Sequence, residues 1–348
     1  MAATKADPKK VHIAHQWKHG SPLVACCFAP DGKYVFTSGQ DYALQRWEIP
    51  SGKKVEWKAH DSWVRDIVFL HDGRTMITAG SDDKLIFWDA MSEKPKAIRT
   101  IVAHKGWIRS LSVAADGKTF ASGGNDRLVK LWDATNGKLI RTFSGHKLDV
   151  YSTFLHPDGK MIYSGDQGGQ IREWEISSGK HQRNFDAKVL LTNNTQGVRY
   201  GGVRGLAVSP DNKYLAACGL HKATNPLGAV NEPIALLFDM KTNKKVRTQP
   251  GSGVKGIAWQ LSWLNDGSLA VASGGSGGGF LLFWRPDSDK EYHRFKLPDT
   301  ARDMAVHPDG LQLATVHYDR HVRISKLTPK PPAKPAPKKD AKKPAKKK

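Results

Sequence analysis

The sequence predicts an all-β fold built from seven repeats of one four-stranded unit, and three observations predict it. An aromatic closes a strand-like segment at Trp47, Trp88, Trp132, Trp174, Phe238 and Trp284, with Ser325 in the seventh place, at steps of 41, 44, 42, 64, 46 and 41 residues. A turn recurs in phase with them, at Asp31-Gly32, Asp72-Gly73, Asp116-Gly117, Asp158-Gly159, Asp211-Asn212, Asp266-Gly267 and Asp309-Gly310. Such turns need a positive φ, which Gly and Asn tolerate. Each turn is preceded by an apolar strand, as with Ile108, Leu111 and Val113 in the repeat His104–Asp133. A period of roughly 40–45 residues with this chemistry marks a unit that buries its apolar faces against its neighbours.

The order His, apolar strand, Asp-Gly turn, second strand and Trp-Asp, clearest in His104–Asp133, resembles the WD-repeat family. The resemblance implies a seven-bladed β-propeller in which each blade holds a hydrogen-bonded group of His, Ser/Thr, Asp and Trp. The matching residues are His19, Thr37, Asp41 and Trp47 in blade 1, His60, Thr78, Asp82 and Trp88 in blade 2, and His104, Ser122, Asp126 and Trp132 in blade 3. A buried indole N–H needs an acceptor, a hydroxyl supplies it, and a His between hydroxyl and Asp completes the chain. Blade 4 keeps His146, Ser164 and Trp174 but has Gly168 where the Asp is expected. Blade 7 keeps Thr315 and Asp319 and has neither His nor Trp at the matching places, while blades 5 and 6 lack most of the group. The first half is therefore expected to be the stiffer.

In chain order, residues 1–10 form a short basic arm. The propeller occupies 11–328, with blades at roughly 18–58, 59–103, 104–144, 145–186, 187–249, 250–297 and 298–328. The last repeat, Thr300–Leu327, has only three strands, and Val11–Trp17 alternates like a strand ahead of the first repeat. The family resemblance implies that Val11–Trp17 supplies the missing outer strand and closes the ring, which removes exposed sheet edges. Leu190–Gly202, Gly219–Pro233 and the Gly-rich Ser273–Gly279 lengthen connections in blades 5 and 6, and all three are expected on one sector of one face. The segment 329–348 holds nine Lys, one Asp, and otherwise only Pro and Ala. It cannot bury a core and is expected to be disordered and extended. In composition it resembles the tails of linker-histone-like proteins.

The formal net charge is +21, of which +8 comes from those last 20 residues, so the rest carries +13. Both parts favour anionic partners. No apolar run reaches the roughly 18 residues a membrane span needs, and the N-terminus does not resemble a signal peptide. Three cysteines, two of them adjacent at Cys26 and Cys27, make no disulfide framework, which suits a reducing, cytoplasmic setting.

The resemblance also places partner-facing residues. Two flank the first apolar residue after the His, and one precedes the turn Asp. These are Trp63 and Arg65, Trp107 and Arg109, Asp149 and Tyr151, Gly202 and Arg204, Thr300 and Arg302, and in blade 6 Gly253 and Lys255; Pro22 and Val24 fill the place in blade 1. The residues before the turn Asp are Gln40, Ser81, Asn125 and Tyr318. A partial ring of Arg65, Arg109, Arg204, Arg302 and Lys255 is thus expected around the channel mouth, with Asp66 and Asp303 as compensating charges. Its binding surface comprises Trp63, Arg65, Trp107, Arg109, Tyr151, Arg204, Lys255, Arg302 and Tyr318, and Arg beside aromatics is a combination enriched at interfaces.

These residues predict a non-catalytic, monomeric scaffold that binds an acidic or phosphorylated protein or peptide. The alternative is a nucleic-acid-associated protein tethered non-specifically by its Lys-rich tail. No enzyme activity, metal or cofactor is expected. The His, Ser and Asp residues belong to structural groups, no His/Cys spacing matches a zinc site, and Ser273–Gly279 lacks the Lys-Ser/Thr of a P-loop.

Overall fold

Tight turns make each repeat an antiparallel meander. In blade 2, Val64–Phe69, Thr75–Gly80, Lys84–Asp89 and Lys96–Val102 pair in that order, here named strands A to D. Gly73 takes φ 66° at the A–B turn and Asp83 φ 69° at the B–C turn. The computed structural model describes residues 4–58, 60–193, 199–223 and 231–330, and among these stand seven such four-stranded sheets. The A strands of successive blades pack against one another around a central channel.

Burial follows from this stacking. Strand B of blade 2 is buried along nearly its whole length because neighbouring blades cover both of its faces, whereas strand D of blade 1, Lys54–Lys58, alternates exposed and half-buried. Between blades 2 and 3, Leu85 and Phe87 meet Ile108, Phe120 and Trp132 in one apolar layer.

The ring closes by exchange between the two ends of the chain. His12–Lys18 is the outermost strand of the sheet formed by Ala301–Val306, Gln312–His317 and His321–Lys326, in a register running from His12 opposite Lys326 to Lys18 opposite His321. Trp17 stacks on Trp47 of blade 1 at 6.2 Å, tying the closing strand to the next blade.

Strand direction gives the molecule two faces. The upper carries the starts of the A strands and the B–C turns; the lower carries the A–B and C–D turns. The three lengthened connections meet on the upper face. Leu191–Asn193 pairs with Arg199–Gly201, and this hairpin packs on the long strand Tyr214–His221. Asn231 O accepts from Gly256 N, and Lys255 O from Gly277 N, both at 3.0 Å, which joins the second connection to the third. Residues 194–198 and 224–230 of these connections lie outside the described residues, as does the expected tail from 331 onward. No helix among the described residues is long and apolar enough to cross a membrane. Cys26, Cys27 and Cys218 are all free thiols.

Candidate functional site at the channel mouth

Strand A of six blades is kinked at one position. Register shifts put a bulged residue at Val24, Arg65, Arg109, Tyr151, Trp259 and Arg302. In blade 5, Arg204 stands just ahead of the corresponding strand and donates its backbone N–H to Cys218 O. A bulge re-aims a side chain, and all seven of these side chains line one cavity of about 260 Å³ at the upper end of the channel.

The lining is an alternating stack of guanidiniums and aromatic rings. Arg65 lies 4.7 Å from both the Trp63 and Trp107 rings. Arg109 lies 4.8 Å from Trp107 and 4.6 Å from Tyr151, and Arg204 lies 4.5 Å from Tyr151 and 5.1 Å from Trp259. Arg302 continues the circle over Tyr318 at 4.9 Å. The residues before the turn Asp hold the fork: Arg65 Nε donates to Ser81 Oγ and Arg109 Nε to Asn125 Oδ1, each at 2.8 Å. Arg204 Nε is buried with no hydrogen-bond partner among the described residues.

Among the described residues no salt bridge joins these four arginines to a carboxylate. The two expected compensations fail for a geometric reason. Asp66 turns down the channel to accept from Ile67 N at 2.8 Å and from Leu111 N of the next blade at 2.7 Å. Asp303 likewise accepts from Cys26 N and Met304 N, both at 2.8 Å. The guanidiniums therefore share the cavity without a direct ion pair, with Asp149 favouring the charge of Arg109 and Asp299 that of Arg302. Burial first, then repulsion from Arg109, Arg204 and Arg302, lowers the Arg65 guanidinium to about 10. Arg109, Arg204 and Arg302 are also lowered, each chiefly by burial. Below them, burial and then mutual repulsion with Asp303 raise Asp66 to about 7, and burial raises Asp303 to about 6.

Lys255 does not join the ring. It is exposed on the loop before blade 6, and Trp259 holds that blade's station. Blade 6 has no His from which to count, and its connection is longer. A signal for Trp259 was present: each of the seven stations, Val24, Arg65, Arg109, Tyr151, Arg204, Trp259 and Arg302, lies seven residues before the Asp of its A–B turn. Strand A has a fixed length, whereas the loop before it varies.

The structural groups form with variations. In blade 2, Trp88 Nε1 donates to Thr78 Oγ1 at 2.9 Å, His60 Nε2 meets Thr78 Oγ1 and His60 Nδ1 meets Asp82, both at 2.8 Å. Blade 3 repeats this with Trp132, Ser122, His104 and Asp126. In blade 1 the expected contact between Thr37 and His19 is replaced. Thr37 Oγ1 donates to Gln45 Oε1, Gln45 Nε2 meets His19 Nε2, and His19 Nε2 meets Asp41 at 2.7 Å. Gln45 is long enough to span the gap from the neighbouring strand. Trp47 keeps its bond to Thr37 at 2.9 Å.

Blade 4 has a carboxylate after all: Asp166 meets His146 Nδ1 at 2.8 Å. In blade 7, His317 takes the bond to Thr315 Oγ1 at 2.8 Å, so that blade has a His from within strand B. His19, Asp41 and Glu56 are the one cluster of described residues with metal-ligand donors within 4.8 Å of one another, and Lys54 already pairs with Glu56 there at 2.7 Å.

Residues 9–48, 52–89, 95–133 and 137–175 match the WD40 family, described as WD domain, G-beta repeat. The chain carries four WD40 repeats. These matches fall in the half of the chain where each blade pairs a His, a hydroxyl and a carboxylate with its closing Trp, and stop before Phe238 and Ser325 replace Trp. Over 97 residues the chain is 34% identical to mRNA export factor GLE2 of Chaetomium thermophilum, covering 27% of this chain and 26% of that one. It is 28% identical over 95 residues to protein groucho of Drosophila melanogaster, covering 26% and 13%, and 30% identical over 66 residues to nuclear distribution protein nudF of Emericella nidulans, covering 18% and 15%. The matched stretches thus span about a quarter or less of these relatives. WD40 propellers are typical of protein-interaction scaffolds and are generally non-enzymatic.

Proposed function

We propose that the protein is a non-catalytic scaffold that holds an acidic or phosphorylated segment of a partner protein at the upper channel mouth. One observation carries this reading: Arg65, Arg109, Arg204 and Arg302 line one cavity, are fixed by aromatic faces, and form no salt bridge with a carboxylate among the described residues. Clustered cations repel, so the arrangement is stabilised when an anion enters. The guanidinium fork suits carboxylate and phosphate geometry, and the surrounding rings exclude water from the contact. Trp63, Trp107, Tyr151, Trp259 and Tyr318 give the partner an apolar rim in which to anchor.

The test is affinity capture from native extract at moderate salt. It compares the full chain, a chain ending at Thr328, and the combined Arg65→Ala, Arg109→Ala, Arg204→Ala variant. The first two are expected to retain the same protein and the variant to lose it while melting cooperatively. Full retention by the variant ends the proposal. Capture of nucleic acid by the full chain alone, lost as salt rises, assigns the binding to the tail instead.

A further inference from the structure

We propose that the lower face docks the chain's own Lys/Pro/Ala segment, residues 329–348, in the groove between blades 5 and 6. The groove encloses about 330 Å³ and is lined by Pro210, Tyr214, Trp263, Leu264 and Pro286, with Asp211 at its edge. Tyr214 and Trp263 pack on the core of these blades with one side and are half-buried, so each leaves part of its surface in the groove. Aromatic grooves of this kind take polyproline II segments, whose preformed helix loses little entropy on binding. The segment has six prolines, five of them within 329–337.

The path of the chain brings this segment to the groove. Strand C of blade 7, His321–Lys326, runs from the upper to the lower face, so the chain leaves on the groove's side. Leu327 O accepts from Asp7 N at 2.8 Å, and the adjacent Ala6 N donates to Asn265 Oδ1 at 2.8 Å. Asn265 is itself part of the groove wall. At about 3.1 Å per residue, ten residues of polyproline II span roughly 31 Å, enough to cross one blade.

Charge favours the same sector. The seven Asp residues of the A–B turns all lie on the lower face. Those of blades 6 and 7 are paired, Asp266 with Arg285 at 3.0 Å and Asp309 with His307 at 2.9 Å, so the acidity open to a basic segment lies on the neighbouring C–D turn. Asp287 and Asp289 are exposed beside Pro286. The upper face, with its four channel arginines, repels a segment of charge +8. This inference does not depend on what the channel mouth binds.

The experiment uses a labelled peptide of residues 329–348 and two proteins, the 348-residue chain and the chain ending at Thr328. The shorter chain keeps every blade strand, since these lie within 12–326. Saturable binding to the shorter chain is expected, weakened at least about tenfold on the full chain, where the tethered copy competes at high effective concentration. A peptide with all six prolines changed to Ala keeps its charge and is expected to bind at least about tenfold more weakly, because the polyproline II preference is lost. Asp287→Lys, at an exposed site, weakens the native peptide several-fold with unchanged melting. In the full chain without peptide, hydrogen exchange at 207–214 and 263–267 is expected to be slower than in the shorter chain. No binding to the shorter chain, equal binding to both chains, or equal binding of the proline-free peptide would overturn the proposal.

Discussion

Arg65 and Arg109 share the Trp107 indole, at 4.7 and 4.8 Å from its centre. One ring from blade 3 thus fixes two guanidiniums of different blades. A cation–π contact contributes roughly 0.5–2 kcal/mol, and Trp107→Ala removes two at a side chain that is 41% exposed. The expected outcome is an intact fold with anion affinity lowered about tenfold, the equivalent of about 1.4 kcal/mol. Titration with a phosphorylated acidic peptide checks it.

Anion binding also has a signature in stability. A ligand that binds only the folded state raises the melting temperature by mass action. Inorganic pyrophosphate is expected to raise the melting temperature of the wild-type chain. It is expected to leave the Arg65→Ala, Arg109→Ala, Arg204→Ala variant nearly unmoved, as read by a thermal scan at constant ionic strength.

Asp166 and Gly168 have exchanged roles relative to the neighbouring blades. In blade 2 a Cβ on Gly80 would meet Asp82 Oδ1 at 2.1 Å and His60 Nδ1 at 2.3 Å, so only one of these two positions can carry a carboxylate. Blade 4 places it at the first. Loss of the carboxylate in Asp166→Ala leaves His146 Nδ1 buried without a partner, at a cost of about 1–3 kcal/mol. The exchange Asp166→Gly with Gly168→Asp recovers most of that loss, since Gly168 does not have a positive φ. Urea denaturation of the three variants checks the order.

The carboxylates under the ring give a pH dependence of known sign. Asp66 is raised to about 7 and Asp303 to about 6, above the ordinary 3.8 of an unfolded Asp. Between pH 4 and 7 the folded state therefore binds more protons than the unfolded one, and stability contributed by these groups is lost as pH rises. Comparing wild-type with Asp66→Asn from pH 5 to 8, the urea midpoint of the wild-type chain falls more steeply. Parallel curves would show that Asp66 does not carry the effect.

Closure can be tested by removing one strand. Deleting residues 1–18 strips strand D from blade 7, exposes the edge of His321–Lys326 and removes the Trp17–Trp47 stack. An open edge and a lost blade interface destabilise the whole ring. The melting temperature is expected to fall by about 10 °C or more, well beyond the 2–4 °C per kcal/mol of a single side-chain loss.

The fold was legible because its signals are local and repeated: turn Asp residues in phase, closing aromatics and alternating strands. Arg65, Arg109, Arg204 and Arg302 were legible for the same reason, each standing at a fixed distance from a turn. Trp259 was missed because counting forward from a His crosses a loop of variable length, whereas counting back from Asp266 crosses a strand of constant length. The roles of Gln45, Asp166 and His317 were not legible. Each enters its group from another backbone position, and which positions share a space is set by packing between strands. The sequence also suggested Asp66 and Asp303 as counter-charges because they adjoin arginines, but their carboxylates satisfy backbone N–H groups of the next blade instead.

Anion capture at the channel mouth is measured most directly by calorimetric titration of a phosphoserine-bearing, Glu-rich peptide at low and moderate salt. The proteins compared are the wild-type chain and the combined Arg65→Gln, Arg109→Gln, Arg204→Gln, Arg302→Gln variant. One saturable site is expected on the wild-type chain and its loss in the variant, with cooperative melting kept. Equal binding by both proteins would contradict it, because the anion would then be held somewhere other than the channel mouth.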